Sequence, residues 1–228
     1  MALRRLIGPL VLGVAGVAVL MSLGFWQLSR LDEKRVLIAE IEAQIVAAPV
    51  ALPDAPEPER DRYMPVHAEG RFTGEMVHVL ASQRGAGTGT HVIAVLETQG
   101  GRRVLVDRGF LPDAARPGFA GENGDVRVIG NLHWPRDADR YTPEPDLARG
   151  LWFAREVAPI AAHLGSEPVL IVARAEQPPL AELRPVPVGV ESIPNDHLEY
   201  AITWFTLAIA WAGMTLYLLW RIRREGRA

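Results

Sequence analysis

The sequence predicts a membrane protein whose two transmembrane α-helices, one at each end, flank a mainly antiparallel β outer domain. That domain is a small barrel or sandwich with one or two helices. Three observations carry this. Leu6–Trp26 and Tyr200–Trp220 are each uncharged over 21 residues, and 21 residues of helix span roughly 31 Å, the thickness of a bilayer core. The chain between them breaks into short runs of alternating apolar and polar residues, which is the period of strands. Charge is segregated: residues 30–196 hold 18 Lys and Arg against 25 Asp and Glu, a net of −7, while both tails are basic.

The elements follow in order. Residues 1–5 form a short tail with Arg4 and Arg5, and residues 6–27 the first span. A signal peptide is the competing identity for this span. Its apolar run is longer than the roughly 7–15 residues of an h-region, and it runs into GFWQLSR without a small-residue cleavage site, so it is expected to stay as an anchor. Over residues 28–48, Leu31, Ile38, Ile41 and Ile45 recur at helical spacing among charges, which extends the helix beyond the membrane until Pro49 and Pro53 stop it. Residues 49–62 contain PDAPEPERDR, a Pro- and acid-rich linker with nothing to bury.

Residues 63–196 carry the β-pattern. PVHAEGRF, EMVHVLASQ, THVIAVLET, RVLVDRGF, DVRVIGNL and PVLIVARA are separated by turn signals such as TG, RGAGTG and TQGG. One helix, AREVAPIAAHLG, is inserted and closed by Gly165. LRPVPVGVESIP leads to the second span, residues 197–220, and residues 221–228 form a tail with Arg221, Arg223, Arg224 and Arg227. Short basic tails stay in the cytoplasm and a long domain crosses regardless of charge. Both termini are therefore expected in the cytoplasm, with the β-domain in the periplasm of a bacterium or the intermembrane space of an organelle of bacterial descent. The expected location is the inner (plasma) membrane.

Several chemistries are excluded or weakened. The chain has no cysteine, which removes disulfides, zinc ribbons, thiolate copper sites and C-x-x-C-H haem attachment. An acidic outer domain does not suit nucleic acid. Arg84–Gly89, RGAGTG, lacks the Lys-Ser/Thr pair and following helix of a phosphate loop and reads as a hairpin turn. His67, His78 and His91 with Met64 and Met76 have the donor types for copper but no compact spacing, and His133 and His163 stand alone. The five serines lack a nucleophile elbow, and the acids show no paired spacing. Asp107-Arg108 reads as an ion pair shaping the barrel. An enzyme is not expected.

NDHLEYAITWF, Asn195–Phe205, is the remaining candidate. Asn195 is a good N-cap after Pro194, and Asp196 adds charge that suits a helix start. His197 faces the positive end of the dipole, which favours the uncharged imidazole, the form that binds metal. At 100° per residue Tyr200, Trp204 and Trp211 lie within about 60° of His197 on one face. An interfacial histidine above belt aromatics explains part of this. Trp211 lies too deep for a belt and is expected to pack on another helix or a flat ligand. Gly13, Gly16 and Gly24 share a face of the first span, which permits close approach or leaves room for bulk. In an antiparallel pair Phe25, Trp26 and Gln27 reach the level of His197. These residues leave interfacial decoration, a helix-end device and a porphyrin or quinone-like site between the spans all open.

LGFWQLSRLDEK, VLVDRGFLP and NDHLEYAITWF, in this order, resemble the surfeit locus 1 family of cytochrome c oxidase assembly factors over the whole chain. The resemblance implies an assembly factor that binds haem a and assists its delivery to, or insertion into, oxidase subunit I. It implies His197 as axial ligand, with Tyr200, Trp204 and Trp26 as pocket or packing residues. Partners would be subunit I, haem a synthesis or other assembly factors, and the lipid bilayer. Asp196 stands where the family motif often has a second asparagine; its carboxylate would strengthen the imidazole or repel haem propionates. The alternatives are a cofactor-free scaffold that stabilises an oxidase assembly intermediate, and an unrelated envelope β-domain on a two-helix anchor.

Overall fold

An uncharged run of this length satisfies its backbone in lipid only as a helix, and both runs are helical. The computed structural model describes residues 2–121, 124–190 and 193–225. Of the residues used to orient the chain, Arg227 and the side chains of Arg4 and Arg5 lie outside this description. Helix α1 is Ala2–Ile45 and α3 is His197–Glu225. Both are long and apolar enough to cross a bilayer, with mean hydropathy of 2.3 and 1.6 in their most apolar windows. The chain divides into two units, Met1–Glu40 with Val190–Ala228, and Ile41–Gly189.

The second unit is a small closed barrel. Its strands are β1 (Val50–Ala51), β2 (Pro65–Gln83), β3 (Gly87–Thr98), β4 (Arg103–Pro112), β5 (Asp125–Leu132), β6 (Leu151–Trp152) and β7 (Leu170–Gln177). They run in the order β2-β3-β4-β7-β5, and β5 pairs back onto β2 to close the ring. Most pairs are antiparallel; β4 and β7 are parallel, and β1 and β6 add to β2 in parallel. PVHAEGRF and EMVHVLASQ, expected as two strands, form the single strand β2. Its first half pairs with β5 from Pro65 to Arg71, while β3 follows it to Gln83. A register shift between Phe72 and Met76 lets one strand serve both neighbours, as a bulge bends a strand and increases its twist. RGAGTG does form the β2–β3 hairpin, with Ala86 N–H donating to Gln83 O at 3.0 Å.

Alternation sends Val66, Phe72, Leu96, Val106, Val128 and Ile171 into the barrel. The opposite face of β2, β3, β4 and β7 is also buried, because α2 (Val157–Leu164) covers Val79, Ile93, Val95 and Leu105 with Val157 and Ile160. This double burial explains why VIAVL is apolar without a break. The helix stops at Gly165, which takes the left-handed conformation at φ 63°.

Three expectations are corrected here. The helical extension over 28–48 ends at Ile45, where the Ala47 N–H to Gln44 O bond tightens the last turn. The carbonyl of Ile45 is satisfied by Asn131 Nδ2 and Arg174 Nη1, both at 2.9 Å, and a cation there also suits the negative helix end. The Pro- and acid-rich linker is held by the barrel. Asp61 is buried between the Glu57 amide at 2.8 Å and Arg60, and Arg102 donates to Pro53 O at 2.7 Å. Polar and backbone groups hold it where apolar burial cannot. Finally, Asp107 and Arg108 are not paired with each other. Successive side chains on a strand point to opposite faces, so Asp107 meets His91 and Arg155, while Arg108 pairs with Glu176 at 2.7 Å over the Phe72 ring.

Candidate functional site

In the helical unit, Gly13, Gly16, Leu20, Gly24, Gln27 and Leu31 recur at three or four residues, one seam of α1. The glycines are what allow α3 to approach. A methyl group at Gly13 would strike the side chain of Thr215, at Gly16 the indole of Trp211, and at Gly24 the ring of Phe205. The pairing runs in opposite directions along the two helices, so the pair is antiparallel. Phe25 also meets Phe205 edge to face, with centroids 5.4 Å apart. Trp211 therefore packs on another helix, as its depth implied. Along the described seam the small residues on α1 are filled by bulk on α3.

Beyond the last glycine the seam turns polar. Gln27, only 9% exposed, places Oε1 2.8 Å from His197 Nδ1. An amide oxygen only accepts, so this contact places a proton on Nδ1 and turns Nε2 away from Gln27. His197 is half-buried and is the first residue of α3. The N-cap shifts by one from the expected Asn195, because Tyr200 N–H donates to Asp196 O at 3.2 Å. Asn195 Oδ1 is buried with no partner among the described residues.

The other candidates are placed differently. Tyr200 is 56% exposed and Trp26 53% exposed, while Trp204 is half-buried. Among the described residues no ring contact joins the three. An oriented imidazole whose Nε2 is not held by Gln27 has the donor chemistry that a haem iron would take. The exposed faces of Trp26 and Tyr200 fit the edge of an apolar ligand. Gln27 had been placed at the level of His197 without being given a role. Its signal was a polar side chain continuing the glycine face, two heptad-like steps beyond Gly13.

Polar clusters in the barrel compete for attention. Asp107, 0% exposed, accepts from His91 Nδ1 at 3.0 Å and from the Gly109 amide at 3.1 Å, and lies 3.5 Å from Arg155. Arg155 in turn binds Asp137 at 2.8 Å. Burial pushes the Asp107 carboxyl up, but His91, Arg155 and the Gly109 amide hold it below the ordinary carboxylate range. His78 bonds Thr90 at 3.1 Å. His91 and His78 thus each have their own partner, and no group of three metal-type side chains gathers among the described residues. A groove of about 680 Å³ runs past Glu69, Arg71, Glu97, Asp125 and Arg127. Arg71–Asp125 and Arg127–Glu69 pair across it at 3.2 and 3.7 Å, leaving no convergent donor set.

His133 gives a pH prediction. Its ring stacks on Tyr63 with centroids 5.5 Å apart, and Nδ1 is buried without a partner among the described residues. Burial pushes it down from 6.5 to about 4, helped by Arg155 and Arg62 against the opposing Asp137 and Asp107. The unfolded chain therefore takes up a proton near pH 6.5 that the folded chain refuses until about 4. Stability present above the upper value is lost as pH falls through this window. Melting temperatures measured across it in detergent should decline for the wild type, and His133→Gln should flatten the decline. An equal slope in both would remove His133 as the cause.

Comparison with known proteins decides the kinship. The model of the SURF1 family matches residues 14–209, which include most of α1, the first half of α3, VLVDRGFLP and His197. The chain belongs to the SURF1 family. It is similar to Surfeit locus protein 1 of Homo sapiens, 30% identical over 82% of this chain and 70% of the human protein. To the Rattus norvegicus protein of that name it is 29% identical, over 90% of this chain and 72% of the other. The SURF1-like protein of Rickettsia felis is 29% identical over 89% of this chain and 92% of its own length. A bacterial family member of matching length, together with the two apolar helices, fits a membrane-anchored protein.

Proposed function

We propose that this SURF1 family protein is an assembly factor for haem-copper cytochrome c oxidase that binds haem a and assists its delivery to, or insertion into, subunit I. The observation that carries the haem part is the Gln27–His197 bond, which leaves Nε2 as a ready ligand at the mouth of the seam. Haem a, if bound, would supply an iron that His197 could hold through an imidazole nitrogen. The chain's own residues do the rest. His197 donates one ligand, Gln27 orients it, and Trp26, Tyr200 and Trp204 offer apolar contact. A single axial donor suits a carrier that must also let go. No turnover chemistry is called for, so the protein acts as a chaperone rather than an enzyme. Both termini lie in the cytoplasm and the barrel in the periplasm, with the bilayer, subunit I and haem a synthesis or other assembly factors as partners.

The filled glycine seam favours a second reading, a cofactor-free scaffold that stabilises an assembly intermediate. One experiment separates them. The protein is co-expressed with haem a synthesis, purified in detergent, and its visible spectrum recorded. Haem a bands at near one equivalent are expected; a colourless protein would leave the scaffold. Reporter fusions at the termini and in residues 53–62 test the orientation.

A further inference from the structure

We propose that Gln27 is the positioning residue that sets the tautomer and ligand strength of His197; the ligand-strength half rests on the haem reading above, the tautomer half on geometry alone. Four observations support it. Among the described residues, the 2.8 Å bond from His197 Nδ1 to Gln27 Oε1 is the only side-chain hydrogen bond between α1 and α3. Gln27 is buried at 9% exposure, and a buried amide is costly unless it is bonded. It continues the glycine seam, so packing fixes where its amide can reach. Its partner sits on the other helix, so the imidazole is oriented only while the helices are paired.

The choice of an amide has a chemical consequence. The partner opposite a metal-binding imidazole fixes its tautomer and raises its basicity. A carboxylate would do so strongly but would bury a charge in the seam. The neutral carbonyl of Gln27 holds the same tautomer with a weaker push. The result is an oriented ligand of moderate strength, which suits cargo that is to be passed on. Asp196, the residue before His197, is exposed, and the described hydrogen bond of the imidazole goes to Gln27 instead.

The test uses the full chain in detergent, labelled with ¹⁵N-histidine. The six histidines are assigned with a His197→Gln reference. The wild type should show His197 as one tautomer, with a protonated Nδ1 and a bare Nε2. Gln27→Leu, which keeps an apolar seam, should show a mixture at an unchanged melting temperature. Gln27→Glu should keep the single form. Ferric protoporphyrin IX, titrated by its Soret band, should bind about 10–100-fold more weakly to Gln27→Leu. A wild type with mixed or Nε2-protonated His197, or a Gln27→Leu variant with an unaltered tautomer and affinity, would overturn the proposal. A loss of melting temperature without a tautomer change would reduce Gln27 to packing. If the wild type binds no porphyrin, the haem reading fails while the tautomer still decides the role of Gln27.

Discussion

On the proposed haem reading, His197→Ala purified from cells that make haem a should carry at least about 100-fold less haem than the wild type, while its barrel melts unchanged. The size follows from the geometry. His197 is the donor that the described residues orient at the seam's mouth, through the 2.8 Å bond to Gln27. Loss of a supporting partner alone typically costs about 10–100-fold in metal affinity, so loss of the ligand itself costs more. The barrel is a separate unit from Ile41 to Gly189 and contains none of these residues, which makes its melting an internal control. Trp26→Ala and Tyr200→Ala, at exposed positions, should cost far less than the histidine. A spectrum of His197→Ala that matches the wild type would remove the residue as ligand.

Asp107→Ala should be the most damaging single change in the barrel. The carboxylate is wholly buried and takes bonds from His91 and Gly109 while facing Arg155. Alanine would leave the amide unsatisfied and Arg155 with Asp137 alone. Removing one partner of a buried ion pair costs about 3–5 kcal/mol, and in a domain of this size each kcal/mol lowers the melting temperature by about 2–4 °C. A drop of about 6–20 °C is expected by calorimetry. Asp107→Asn keeps an acceptor for Gly109 and should fall between the two. Because the folded carboxyl titrates below the ordinary range, its contribution is present at neutral pH and is lost only in strong acid. A melting temperature within about 2 °C of the wild type would show that His91 and Arg155 find other partners.

Local chemistry made much of this architecture legible. Both spans follow from uncharged length, the β2–β3 turn from its glycines, and the end of α2 from Gly165. The glycine face of α1 left close approach or room for bulk open, and Trp211 another helix or a flat ligand; Gly16 faces the Trp211 indole. What escaped depends on residues distant in the chain. Nothing near Asp107 names His91 or Arg155 as its partners, and nothing near Arg108 names Glu176. The linker looked unattached because its anchors, Asp61 and the Pro53 carbonyl, are polar and backbone groups rather than apolar side chains. Gln27 and His197 are 170 positions apart. Their bond becomes visible only when the two seams are brought into register. A ligand would leave no local pattern beyond the histidine motif, so the expectation of haem rests on the resemblance.

The ring order also dictates when the barrel can finish forming. β2, β3 and β4 are consecutive neighbours and can pair as a meander as soon as Pro112 is available. β5 can then reach the start of β2, but β4 and β5 remain separated by a gap. Only β7, whose last residue is Gln177, fills it, lying parallel to β4 and antiparallel to β5. Until that late strand arrives, two unpaired edges face each other across an open core. Such edges recruit foreign strands, and non-local pairing is slow. Truncation before Leu170 should therefore yield an aggregating chain rather than a smaller barrel.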